Sequence, residues 1–143
     1  MTRKTINPPE VHKPVSHYSQ AVIVGNLVWT AGQIPIDKNG DLVGKGDCVL
    51  QTHQVYQNLK AVLEGVGSSM DNIVKLNTYI VDVEDAKRIR GIKSQYITQD
   101  PPGSTLVIVE ALAYPNLLIE MEAVAFISLR SISYPKILPK IYR

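Results

Sequence analysis

Apolar positions along this chain follow two rhythms, one of period two and one of period near 3.6. Residues 20–36, QAVIVGNLVWTAGQIPI, hold two apolar runs around Gly25-Asn26 and predict a hairpin. Residues 72–83, NIVKLNTYIVDV, alternate and are rich in β-branched types, which predicts a strand. Residues 104–112, STLVIVEAL, and 117–127, LLIEMEAVAFI, predict two more, with a turn at 113–116 between them. Helical spacing governs residues 47–65, where Val49, Tyr56, Leu59, Leu63 and Val66 recur on one side and Val55 and Val62 widen the stripe. Asp47 is its expected N-cap, and Gly65 or Gly67 its stop. A second helix is expected over 84–98, EDAKRIRGIKSQYIT, with Ala86, Ile89, Ile92/Lys93 and Tyr96 on one side. Asp100-Pro101-Pro102-Gly103 ends it, because proline cannot continue a helix and disfavours helical backbone before it. Residues 1–17 form a Pro-rich lead-in with room for one short strand, and 37–46, DKNGDLVGKG, read as a loop.

The element order is ββαβαββ, an α+β arrangement. Two helices of this size cover one face of a sheet. The run Leu106-Val107-Ile108-Val109 is apolar toward both faces, so the second face needs a cover as well. With no third helix to provide it, self-association in a closed oligomer is the economical expectation. Trp29 is expected in the core.

Composition narrows the class. The 143 residues suit one domain, and 45% hydrophobic with 20% charged residues is ordinary for a globular protein. Apolar runs fall well short of the ~20 residues of a membrane span, and the opening MTRKTINPPEVHKP has no apolar signal core. A cytoplasmic protein without membrane contact is the expectation. The lone Cys48 excludes an internal disulfide framework and a cysteine metal cluster. It sits at a helix start, where a thiol pKa can fall, but an inert residue is the expected reading. The chain's charge of +2 becomes −2 for residues 1–125, because Arg130, Lys136, Lys140 and Arg143 follow Phe126 with no acid among them. Residues 1–127 are therefore read as the domain, and 128–143 as a basic C-terminal extension.

Familiar reactive motifs are missing. GNLVWTAG has the wrong spacing for a phosphate loop and lies in a hairpin. His12, His17 and His53 match no metal spacing, and no serine sits in a nucleophile elbow. No metal and no cofactor are expected. Chemistry must come from carboxylates, hydroxyls, backbone N–H groups and water. Glu120 and Glu122, two carboxylates in the apolar last strand, point to one face because strand side chains alternate. On a buried face each needs a partner or a raised pKa; at a cleft, one can do proton work.

Several segments, HYSQAV (17–22), LVWTAGQIPID (27–37), QTHQVYQNLKAVLEGVGSSMDNIVKLNTYIVDVEDA (51–86) and LLIEMEAVA (117–125), resemble in order the RidA/YjgF family of small trimeric proteins. The likeness spans roughly residues 5–127. It implies a chorismate-mutase-like fold, a mixed β-sheet with two helices on one face, assembled as a homotrimer with small-molecule clefts between subunits. Family members hydrolyse reactive imines and enamines of amino acids to keto acids and ammonia. The resemblance implies that Glu120 positions the attacking water, that Tyr18 closes the pocket and that Gly32 offers a backbone donor. Glu122 takes a structural role.

One position departs. The family holds the substrate carboxylate with an arginine in a Pro-Ala-Arg-Ser/Thr pattern; here the stretch is Pro102-Gly103-Ser104-Thr105, and Ser104 stands in the arginine's place. Leu106 replaces the Cys or Thr common two positions later, and Arg90 an asparagine of the second helix. Truncating a bidentate charge pair in a partly dry cleft costs roughly 2–5 kcal/mol, or about 30- to 4000-fold in binding. The usual substrate should bind poorly unless Arg90 reaches into the cleft. Three functions follow. The first is deaminase-type hydrolysis of a reactive imine or enamine with an altered substrate, the second a non-catalytic small-molecule-binding trimer. The third, RNA binding or endoribonuclease-type control of translation, would use the basic extension and ranks last, because no paired histidines or Lys/His set supports nucleic-acid cleavage.

Overall fold

The structure, a computed structural model, describes residues 2–128. Strands β1 (Arg3–Ile6), β2 (Ala21–Val24), β3 (Leu27–Thr30), β4 (Ile73–Ile80), β5 (Gly103–Ile108) and β6 (Ile119–Phe126) form one sheet in the order β1-β2-β3-β6-β4-β5. All neighbours are antiparallel except β4 and β5. A parallel pair needs a long crossover, and the helices α2 (Val83–Ile89) and α3 (Lys93–Tyr96) provide it. The long helix α1 (Cys48–Gly65) lies on the same side. This is the expected α+β class with a mixed sheet and its helices on one face.

Local chemistry explains the element ends. Gly25, at φ +62°, turns the β2–β3 hairpin in two residues. The Asp47 carboxylate accepts from the N–H groups of Val49 and Leu50 and starts α1. The second helix is broken, contrary to the single helix expected over 84–98. Ile92 N–H bonds to Ile89 O, a three-residue step, and Gly91 sits at the break.

The alternating strands split by face. Leu76, Ile80, Ile119, Met121, Ala123 and Ala125 are buried beneath Val55, Leu59, Val62 and Leu63 of α1. Buried polar groups brace this layer. Gln51 Nε2 donates to Gly44 O and Asn116 O at 3.1 and 2.9 Å, and its Oε1 accepts from Leu118 N–H at 2.8 Å. Asn58 Nδ2 donates to Ile34 O and Ile36 O.

The other face carries no helix. Trp29, expected in the core, lies on it and is 41% exposed. Its neighbours Val28 and Thr30 are buried, so the pleat itself puts Trp29 outside. Every residue of the edge strand β5 is exposed. Of the extension expected at 128–143, all but Ser128 lies outside the described residues. No described helix is long and apolar enough to cross a membrane.

Candidate functional site

Glu120 and Glu122 share the open face, opposite Tyr79 and Asn77 of β4. Their surroundings differ. Glu122 Oε1 accepts from Tyr79 Oη at 2.8 Å and Asn77 Nδ2 at 3.3 Å. That hydrogen bond, ahead of charge repulsion, holds the Tyr79 hydroxyl above its ordinary pKa. Glu120 has no side-chain partner among the described residues. Partial burial, and then the neighbouring Glu122 charge, raises its pKa above the ordinary carboxylate value.

The Glu120 carboxylate rests against Gly32. A Cβ at residue 32 would overlap Oε1 outright and come within 2.9 Å of Cδ. Gly32 thus matters for where the Glu120 carboxylate sits, because a larger residue would push that side-chain end aside, and not for backbone conformation. Its loop is pinned to β6 on the far side: Gln33 N–H donates to Met121 O at 2.6 Å, and Met121 N–H returns to Gln33 O at 3.1 Å. The buried Gln33 side chain donates to Gln20 Oε1 at 2.7 Å. Gly32 N–H has no acceptor among the described residues. Tyr18, whose hydroxyl accepts from Val15 N–H at 3.3 Å, joins Gly32 and Glu120 around a cavity of about 340 Å³. A free carboxylate, a free amide donor and a phenol thus meet there, the set needed to hold and activate a water.

The remaining candidates gather elsewhere. Arg90, Ser104 and Leu106 line a second cavity of about 270 Å³, with Tyr56, Thr78 and Met121. Thr78 and Met121 face the helices, so this cavity lies on the opposite side of the sheet from Glu120. The six residues do not form one site within one chain. Lys93 was missed by sequence reasoning: its Nζ donates to Ser104 Oγ at 2.8 Å. The signal was its position three residues after Arg90, on the inner side of the second helix. Among the described residues no three potential metal ligands cluster. Cys48 is buried, and burial, reinforced by Asp85, pushes its thiol up to about 12, so it stays protonated and inert.

Comparison with known proteins shows the family of the chain. A RutC family protein of Pyrococcus abyssi is 39% identical over 88% of this chain and 98% of its own length. Among solved structures, a conserved Rid family protein of unknown function from Yersinia pestis superposes with a TM-score of 0.83 at 31% identity, over 87% of this chain and 99% of that one. Escherichia coli TdcF with bound serine gives 0.81 at 28% identity, again over 87% and 99%. The family model described as Endoribonuclease L-PSP matches residues 9–127, and the chain belongs to this family, the RidA/YjgF or RutC group.

Proposed function

We propose that the protein hydrolyses a reactive imine or enamine in clefts between identical subunits. The observation that carries this reading is the unpartnered Glu120 carboxylate, packed on Gly32 beside a free amide donor in an open cavity. Water attacks the imine carbon while Glu120 takes its proton. Returning that proton to nitrogen gives the carbinolamine R₂C(OH)NH₂; Glu120 then passes its hydroxyl proton to nitrogen as the C–N bond breaks and C=O forms, so that R₂C=NH + H₂O gives R₂C=O + NH₃. A carboxylate with a raised pKa suits these transfers, because its proton affinity lies nearer neutrality.

Two copies are needed to combine the cavities. The exposed face bearing Trp29, Leu27 and Val107 is the surface for that contact, and a closed trimer would bring Glu120 of one subunit to Ser104 of the next. With Ser104 at the position where the family resemblance implies an arginine, the substrate is not gripped by a bidentate fork there.

The test uses an amino-acid oxidase to generate the imine in the presence of semicarbazide. Wild-type protein should divert imine from semicarbazone to keto acid, and Glu120→Gln should not. Equal semicarbazone yield with and without the protein rejects hydrolysis. A second reading, a binding assembly without turnover, draws on the bound serine of TdcF and on Ser104. Thermal stabilisation by a ligand that is not consumed would favour it. The RNA binding that an endoribonuclease, the activity in the family model's description, would need should appear as salt-sensitive affinity lost on deleting residues 128–143.

A further inference from the structure

The helix-side cavity has a distinctive charge pattern. Its lining includes two cations, Arg90 and Lys93, and four hydroxyl residues, Thr52, Tyr56, Thr78 and Ser104, but no carboxylate. The described ion pairs are Lys60–Glu64, Lys87–Glu84 and Arg88–Asp85, so neither cation is paired with a carboxylate among the described residues. Lys93 Nζ instead donates to Ser104 Oγ at 2.8 Å. That bond uses one ammonium hydrogen and leaves two. It also leaves the Ser104 hydroxyl hydrogen free, because the serine oxygen is the acceptor. Two adjacent donors, one of them charged, stand above an apolar floor of Ile89, Leu106 and Met121. They can take the two oxygens of one carboxylate, and the floor takes its short carbon chain.

Building on the inter-subunit reading above, we propose that Lys93, with Ser104, is the anion-holding pair of this cleft, making it a subsite for a small monocarboxylate with a short apolar tail. Ammonium is a point charge without a planar fork, so it fixes charge and distance but not the plane of the carboxylate. The site should prefer acids over neutral analogues while tolerating variation in how the acid is oriented. Ser104 is then a working half of the pair, and Lys93, not Arg90, is the nearest replacement for the absent guanidinium.

The test is calorimetric titration of the full chain with 2-oxobutanoate and with its uncharged methyl ester. Wild type should bind the acid at least about tenfold more tightly, the increment of one charge-assisted contact. Lys93→Gln should bring the two ligands within about threefold of each other, and Lys93→Arg should restore the preference. Lys93 is partly exposed, and unchanged thermal melting of each variant shows that folding is not the cause. Wild type without preference for the acid, or Lys93→Gln retaining it, overturns the assignment. Because binding is read without turnover, acid binding through Lys93 with no keto acid formed rejects the hydrolase reading alone. Imine hydrolysis with a KM unmoved by Lys93→Gln rejects the lysine alone.

Discussion

The two faces of the sheet are built from the same strands and do different work. On the helix side, positions 76, 80, 119, 121, 123 and 125 are aliphatic or Met, and all are nearly inaccessible. On the open side, one residue along, stand Asn77, Tyr79, Glu120, Glu122 and Val124 between β4 and β6, with Trp29 and Leu27 beside them. The covered face holds the core, braced by the hydrogen bonds of Gln51 and Asn58, and toward β5 it lines the second cavity. The open face keeps a carboxylate at the cost of an unfavourable environment, and this is where the proposed chemistry sits. Between β4 and β6 the pleat separates the core from the Glu120 side, so substitutions one residue apart there should fail in different ways.

The largest expected effect comes from the covered face. Leu59→Ala removes a fully buried side chain beneath the sheet and should cost about 3 kcal/mol in denaturant unfolding, with the loss of any activity following the loss of fold. Gly32→Ala should do the reverse. The new Cβ displaces the Glu120 carboxylate, and turnover should fall about 100-fold for a shift of this size, with melting temperature nearly unchanged. If Gly32→Ala destabilises as much as Leu59→Ala, the separation of faces is wrong. Trp29→Glu should lower the assembly state by sedimentation while leaving the monomer's helical signal intact. Asp47→Ala, which touches neither face, should cost about 1 kcal/mol through loss of the α1 cap.

The smallest effect is a gain. Glu120 has a raised pKa in the folded chain, so between its unfolded and folded values the folded state binds more protons. Unfolding free energy therefore falls as pH rises through that window. Glu120→Gln removes the penalty and should stabilise the protein at neutral pH by less than about 1 kcal/mol, since the group is partly solvated. The gain should vanish as pH drops toward 4.5, the ordinary carboxylate value. A Glu120→Gln protein that is less stable at neutral pH would show that the carboxylate has a favourable partner.

Much of this was legible in the sequence because period two and period 3.6 are local signals. The β2–β3 hairpin, α1 with its Asp47 cap, β4 and β6 follow directly from them. Trp29 was misread because a large aromatic in an apolar run looks like core, whereas the pleat had already assigned its neighbours inward. The break at Gly91 was hidden because Ile89, Ile92 and Tyr96 keep a helical spacing across it. Glu120 stood out as a carboxylate in an apolar strand, Tyr18 and Gly32 were found through family likeness, and the structure brings the three together. Lys93 was not found: its helical spacing placed it on the inner side of the second helix, but its hydrogen bond to Ser104, eleven positions later, leaves no trace in that spacing. Gln51 and Asn58, buried on α1, escaped for the same reason: their partners lie in distant loops.

The central claim is that the active cleft is shared, with Glu120 from one subunit and the Ser104–Lys93 cavity from another. Co-expressing Glu120→Gln with Leu106→Trp, which fills the second cavity, tests it most directly. Each variant alone should be inactive in the imine assay. Randomly mixed oligomers should regain about one quarter of wild-type activity, because one cleft in four then combines an intact Glu120 with an intact cavity. Proven co-assembly with no recovered activity would contradict a shared site and place the chemistry within a single chain.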